Sequence, residues 1–297
     1  MNVSTAYRYT QIDNNISAAA LAMQNAQEEV STGKLFNNIS QNPVAAVTSL
    51  SLQSLQNQIT QYNANLAGLK SNLGAGSSAL SSMSTLLDQA NSIAVAASNG
   101  SQSTSAMTAY ATQISSIEQS LVGLANTQGP DGQYVFGGQK NNAAPFTASG
   151  NTLTFNGDTN NVNVEVGPGT TIPSNVDISG TMTTLFSHLE ALKSDIQSGS
   201  TANISKTDLA NIQSDINSVS QTNGAVGVTL DRVSQLTSEN TTRLNDLTTT
   251  ISNTDDANVA QAASQLQLAQ NTYQAALSAS SIGLNLGLVN FMPTTSG

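Results

Sequence analysis

Residues 52–97, LQSLQNQITQYNANLAGLKSNLGAGSSALSSMSTLLDQANSIAVAA, decide the architecture of this chain. Apolar or small residues fall at Leu52, Leu55, Ile59, Tyr62, Leu66, Leu69, Leu73, Gly76, Leu80, Met83, Leu87, Ala90, Ala94 and Ala97, with spacings that alternate three and four. A repeat of 3.5 residues is the seam of a helix that packs lengthwise on another helix. At about 1.5 Å per residue this helix is roughly 70 Å long, more than twice the width of a small domain, so it needs other long helices beside it. The expected fold is mainly α, built of long antiparallel coiled-coil helices.

On the N-terminal side, Ile12, Ile16, Ala19, Met23, Ala26 and Val30 form a second seam, which stops at Ser31-Thr32-Gly33-Lys34 with Gly33 placed as a C-cap. Leu35 to Pro43 reads as a loop, with Pro43 in the first turn of the long helix. On the other side, Ser98-Asn99-Gly100-Ser101 breaks the helix, and a hairpin partner follows at Tyr110, Ile114, Ile117, Leu121 and Leu124. The helical signal ends at Gly129-Pro130-Asp131-Gly132.

From Tyr134 to Ile178 the period changes to two. Val162, Val164 and Val166 alternate with Asn163 and Glu165, and Thr152 to Phe155 reads as a strand reaching a hairpin-type turn at Asn156-Gly157-Asp158. Phe136, Phe146 and Phe155 predict a β-rich insert with a core of its own. Helix resumes with Met182, Leu185, Leu189, Leu192 and Ile196, and after a loop around Gly199 with Leu209, Ile212, Ile216 and Val219. A further seam, Val226, Leu230, Val233, Thr237, Asn240, Leu244, Leu247 and Ile251, carries two polar interruptions. The last seam is Val259, Ala262, Leu266, Ala269, Tyr273, Ala276, Ser280 and Gly283, flanked by Leu268, Leu277, Leu284 and Leu288.

Three parts are expected. Residues 1–40 and 257–297 form a terminal coiled-coil assembly domain, 41–132 and 180–256 a helical rod, and 133–179 the β-rich insert. The rod core rests on Ile59, Leu66, Leu73, Leu80, Leu87, Leu230, Leu244 and Ile251. Subunit assembly rests on Ile12, Ile16, Met23, Val30, Val259, Leu266, Tyr273, Leu277, Leu284 and Leu288. The terminal seams are rich in Ala and bury little area, so they are expected to order only when packed among copies of themselves.

Composition excludes several function classes. Only 9% of the 297 residues are charged, against about 25% in ordinary soluble domains. With 8 basic and 18 acidic residues the net charge is -10, which is not the footprint of a nucleic-acid binder. There is no Cys, so disulfides and thiolate metal sites are out. The N-terminus, Met1 to Arg8, lacks a basic leader followed by an apolar run, so no cleavable secretory signal is expected. No apolar run approaches the length of a membrane span. The single His188, near Glu190, reads as a surface or interface residue, and Glu28-Glu29 and Asp255-Asp256 as solvated pairs. Gly74-Ala75-Gly76 and Gly167-Pro168-Gly169 lack the phosphate-loop pattern and read as a thinned seam and a turn. No nucleophile-base pair or metal cluster is visible, and no cofactor is expected.

Particular runs carry a resemblance to the flagellin superfamily, and within it to the hook-associated protein 3 family. They are Ser4-Thr5, Ser31-Thr32-Gly33-Lys34, Asn42-Pro43-Val44-Ala45-Ala46, Gly132-Gln133-Tyr134-Val135-Phe136-Gly137-Gly138, Pro145-Phe146, Phe155-Asn156-Gly157-Asp158 and Ser264-Gln265-Leu266 through Leu277. Gln41-Asn42 stands where that family commonly has an acidic pair, and Pro293 to Gly297 extends past Phe291-Met292. The resemblance implies a non-enzymatic, secreted, extracellular subunit of the bacterial flagellum at the hook-filament junction. It further implies unfolded type III export, a cytoplasmic chaperone on the C-terminal segment, and a ring-like oligomer touching a hook-side junction protein and flagellin. A minor or short filament flagellin and a coiled-coil surface adhesin are the alternatives.

Overall fold

The computed structural model describes the backbone over residues 2–289 and side chains over residues 7–282. Its elements run α1 (Asn2–Thr32), α2 (Pro43–Ala97), α3 (Thr104–Ala125), β1 (Phe146–Ser149), β2 (Thr152–Phe155), β3 (Asn163–Gly167), β4 (Thr170–Pro173), α4 (Ser179–Ser198), α5 (Thr201–Asn203), α6 (Leu209–Asp255) and α7 (Val259–Val289). A π-helical stretch, Ile204–Asp208, joins α5 to α6.

The helix ends follow local chemistry. Gly33 takes φ 69° and Gly199 φ 73°, left-handed values that stop α1 and α4 without strain on a side chain. Asn42 Oδ1 accepts the Ala45 N–H at 3.1 Å ahead of α2, and Ser103 Oγ accepts the Ala106 N–H at 3.2 Å ahead of α3.

The chain divides into two compact units, one of residues 1–57 with 244–297 and one of residues 58–243. In the second unit the α2 seam is buried from Ile59 through Leu66, Leu69, Leu73, Leu80, Met83, Leu87, Ala90 and Ala94 to Ala97. From Leu73 onward that seam shares one core with Ile114 and Leu121 of α3, Met182, Leu185, Leu189, Leu192 and Ile196 of α4, and Ile212, Val219 and Val226 of α6. Leu230 is half-buried. The expected seams at 209–219 and 226–251 are one continuous helix. Where the second was read through Thr237, the half-buried residue is Leu236, packed against the cluster of Leu66, Leu69, Val166, Ile172 and Val233. Thr237 instead donates its hydroxyl to the Val233 carbonyl at 2.8 Å.

The β segment corrects two expectations. It is two separate antiparallel hairpins, β1–β2 turning at Gly150-Asn151 and β3–β4 turning at Pro168-Gly169, so Asn156-Gly157-Asp158 is a connection and not the turn. Gly150 and Gly169 supply the positive φ those turns require. Nor do the hairpins hold a core of their own. Phe136, Phe146 and Leu153 are buried in the same cluster as the helices, with Phe146 and Phe155 rings 5.0 Å apart. Gly76 explains the entry: a Cβ there would stand 3.1 Å from Val135 Cγ1 and 3.8 Å from the Phe136 ring, so the missing side chain in the α2 seam makes room for them. Val166 and Ile172 pack instead on Leu66, Leu69 and Val233.

The two glycine motifs of this segment lock onto each other. Gly138 has φ 66°, and a Cβ on it would lie 1.9 Å from the Asp158 carbonyl oxygen. The Asp158 carboxylate accepts the N–H groups of Gln139 at 2.9 Å and Asn160 at 3.0 Å. The Gln139 N–H, followed by that of Asn160, holds its carboxyl below the ordinary range.

Candidate assembly surface

In the unit of residues 1–57 and 244–297, α1 and α7 pack on each other. They are antiparallel: Ile12 and Ile16 line one groove with Leu277 and Ser280, while Ala19, Ala22 and Ala26 line another with Leu268 and Ala269. Ala19, Ala26 and Ala262 are buried, and Ile12, Ile16, Met23, Val30, Leu266 and Tyr273 are half-buried. Leu244 and Ile251 of α6 are also half-buried, beside buried Leu247.

Two of the residues expected to serve assembly are exposed. Val259 is 56% exposed because it opens α7 opposite the point where α1 has already ended, and Leu277 is 43% exposed on the flank of the helix. The side chains of Leu284 and Leu288, and the whole of Phe291 to Gly297, lie outside the described residues, as do the side chains of Ser4 and Thr5. Tyr7, Leu21, Leu268 and Ile282 leave large apolar side chains in solvent on the same two helices. Because Ala fills so much of the α1–α7 contact, the larger residues are left outward.

A polar latch sets the register of this pair. Leu35 N–H donates to the Asp255 carbonyl and Ala257 N–H to the Gly33 carbonyl, both at 2.8 Å, forming a short antiparallel bridge. Across it Lys34 Nζ donates to Asp256 Oδ1 at 2.7 Å and Asp255 Oδ2 at 3.0 Å. These bonds, Asp256 first, raise Lys34, and Lys34 followed by Ser252 lowers Asp256. Asp255-Asp256 is therefore not a solvated pair: Asp255 is buried.

The unit of residues 58–243 contains two polar clusters that periodicity did not single out. Lys193 Nζ donates to Glu118 Oε2 at 2.9 Å and to Glu190 Oε1, joining α3 to α4 inside the core. Burial raises Glu118, with Lys193 opposing it. Burial also pulls on Lys193, yet its bonds to Glu190 and Glu118 leave it above its usual value. In the second cluster the half-buried His188 of α4 donates its Nδ1–H to Asp215 of α6, at 2.9 Å to Oδ2 and 3.1 Å to Oδ1. Burial raises Asp215 against that bond. The i, i+3 spacing of Glu190 and Lys193 was the one visible sequence signal.

Asp208, on the π-helical stretch, is 2% exposed. Burial first, and then the Asp195 carboxylate, push it up to about 6. A raised acid favours its neutral form in the folded state, so its stabilising contribution is full below its ordinary 3.8 and is lost as pH climbs through 6. Asp208→Asn, which mimics the neutral form, is expected to gain about 1–2 kcal/mol at neutral pH and nothing at acid pH. Urea unfolding across that range checks it; an equal gain at all pH values contradicts the assignment.

Comparison with known proteins fits this geometry. Residues 3–141 match the family model of the bacterial flagellin N-terminal helical region. Flagellar hook-associated protein 3 of Salmonella typhimurium is 32% identical over 146 residues, which are 49% of this chain and 46% of that protein. The chain thus matches about half the length of that curated relative. A flagellar hook-associated protein from Vibrio parahaemolyticus superposes with a TM-score of 0.67 at 21% identity, over 73% of this chain and 100% of that one. Bacillus cereus FlgL superposes with a TM-score of 0.60 at 22% identity, over 68% of this chain and 99% of that one. These two structures share its fold. Over residues 3–141 the chain is similar to the bacterial flagellin N-terminal helical region, and over about half of its length it is similar to flagellar hook-associated protein 3.

Proposed function

We propose that this chain is a non-catalytic structural subunit of the bacterial flagellum, set at the junction of hook and filament. The observation that carries the reading is the likeness to hook-associated protein 3, joined to a terminal helix pair that leaves apolar residues outward. In this reading the terminal helices form a coiled-coil assembly domain and polymerise through Ile12, Ile16, Met23, Val30, Val259, Leu266, Tyr273, Leu277, Leu284 and Leu288. The partners are further copies in a ring, a hook-side junction protein and flagellin. A cytoplasmic chaperone holds the C-terminal segment before export to the cell exterior.

Deleting the gene is expected to give cells with complete hooks and no filaments, with flagellin monomers in the medium. Electron microscopy with an immunoblot of the medium decides it, and normal filaments in the deletion overturn the junction role. The match to the flagellin N-terminal region favours a second reading, a short filament flagellin. Immunogold labelling along the whole filament supports that one; a narrow band at the far end of the hook supports the junction.

A further inference from the structure

Three Asn-Gly pairs occur in the chain, at Asn99-Gly100, Asn156-Gly157 and Asn223-Gly224. Glycine after asparagine leaves the following backbone nitrogen unshielded, so the side-chain amide and that nitrogen can meet wherever the backbone is free to turn. Local structure then separates the three.

Asn223 lies within α6, where its Nδ2 donates to Ser81 Oγ at 3.1 Å and its Oδ1 accepts from Ser77 Oγ at 2.8 Å. Helical hydrogen bonding holds the Gly224 nitrogen as well. Asn156 donates through Nδ2 to Thr147 Oγ1 at 3.0 Å and through its backbone N–H to the Pro145 carbonyl at 2.7 Å. Gly157 is hemmed in, since a Cβ there would meet the Phe155 ring at 2.7 Å and the Gly137 carbonyl oxygen at 2.8 Å. Neither pair has room to rearrange.

Asn99-Gly100 differs at the three atoms that matter, although the Asn99 backbone is itself hydrogen-bonded to Ala96 and Gln102. It sits in the exposed turn between α2 and α3, and a Cβ on Gly100 would meet nothing within 4 Å. Among the described residues, neither the Gly100 N–H nor Asn99 Nδ2 has a hydrogen-bond partner. Asn99 Oδ1, by contrast, accepts from Ser101 N–H at 3.1 Å and from Ser101 Oγ–H at 2.9 Å. Two donors on a carbonyl oxygen stabilise the negative charge that develops there when a nucleophile adds to the carbon. The nucleophile and leaving group are free, and the oxygen is held.

We infer that Asn99 is a site of spontaneous deamidation, promoted by Ser101 as a positioning residue. The Gly100 nitrogen forms a bond to Asn99 Cγ and gives its proton to water. The Cγ–Nδ2 bond then breaks, and ammonia leaves with a proton from solvent. The resulting five-membered imide adds one water and opens at either carbonyl, giving aspartate or isoaspartate. No oxidant, reductant or cofactor enters. Either product places a new carboxylate just past the C-terminal end of α2, where the helix already concentrates negative potential. Isoaspartate also adds one carbon to the backbone of the turn. The molecule thereby acquires an age mark at one defined place.

Purified full-length protein incubated at mildly alkaline pH, then digested and analysed by mass spectrometry with an isoaspartate-specific methyltransferase, tests this. The Asn99 peptide is expected to show amide-to-acid conversion at least about tenfold faster than the Asn156 and Asn223 peptides, a preference that disappears in denaturant. Gly100→Ala, which the open turn accommodates, should slow conversion about tenfold by shielding the nitrogen, without changing the circular dichroism. Ser101→Ala, which keeps the N–H donor and removes the hydroxyl, should slow it roughly three- to tenfold. An Asn99 peptide that stays unconverted, or converts no faster than the other two in the folded protein, overturns the site. An unchanged rate in Ser101→Ala overturns the role given to Ser101.

Discussion

Leu66→Asp is expected to unfold the unit of residues 58–243, with a loss of at least about 4 kcal/mol. Leu66 is fully buried on the α2 seam, packed in the cluster with Leu69, Val166, Ile172 and Val233. A carboxylate there has no cation among those neighbours and no water to solvate it. Leu266→Asp is its counterpart on α7, at a half-buried position of the other unit. That change should leave the main melting transition nearly untouched while preventing polymerisation. Scanning calorimetry beside a sedimentation assay of assembly compares the two, and equal melting losses would contradict the division between fold and assembly.

Gly138→Ala should cost about 3 kcal/mol or more, a large penalty for one added methyl group. Two independent effects add. The left-handed φ of 66° strains any side chain, and the Cβ would stand 1.9 Å from the Asp158 carbonyl oxygen, which is far inside contact distance. The 137–139 turn has to part from the 156–158 connection, releasing the Asp158 carboxylate from Gln139 N–H. Gly132→Ala is the control, since it shares a positive φ of 76° but meets nothing within 4 Å. Chemical denaturation should place it about 1–2 kcal/mol below the wild type. Equal losses for the two variants would show that strain alone matters and that the motifs do not interlock.

The long helix was legible because its seam is a local property: from Ile59 to Ala97 each three-four step of the pattern falls on the buried or half-buried face. Helix ends were legible for the same reason, through Gly33, Pro43 and Gly199. What escaped depends on partners distant in sequence. Phe136 and Phe146 looked like the core of an insert, because nothing local says that the gap at Gly76 receives Val135 and Phe136. Thr237 looked like a seam residue since a three-four alternation also permits Leu236, and the choice is made by what packs opposite. At the candidate assembly surface, the Ala-rich seams of α1 and α7 are a local signal in the same way. The Lys34 latch was not, because it joins residues 221 and 222 positions apart. Glu118 and Lys193 meet across 75 positions, and Asp215 reaches His188 across 27. Single charges in a sparsely charged chain give no sign of being partners until the fold brings them together.

The helical surfaces carry a long series of hydroxyls that donate to the carbonyl four residues back, among them Thr237, Thr241 and Thr248 on α6 and Thr108, Thr112, Ser116 and Ser120 on α3. Each hydroxyl satisfied in this way is already ordered, on a side chain short enough to have few rotamers. A Lys or Glu surface gives up about 1.5–2 kcal/mol of rotamer entropy per residue when another molecule covers it, and a surface of Ser, Thr and Ala gives up much less. Covering it also breaks few solvent bonds that need replacing. Association through such faces should therefore depend weakly on salt and gain disproportionately from modest shape fit, which suits helices whose neighbours are many and nearly alike.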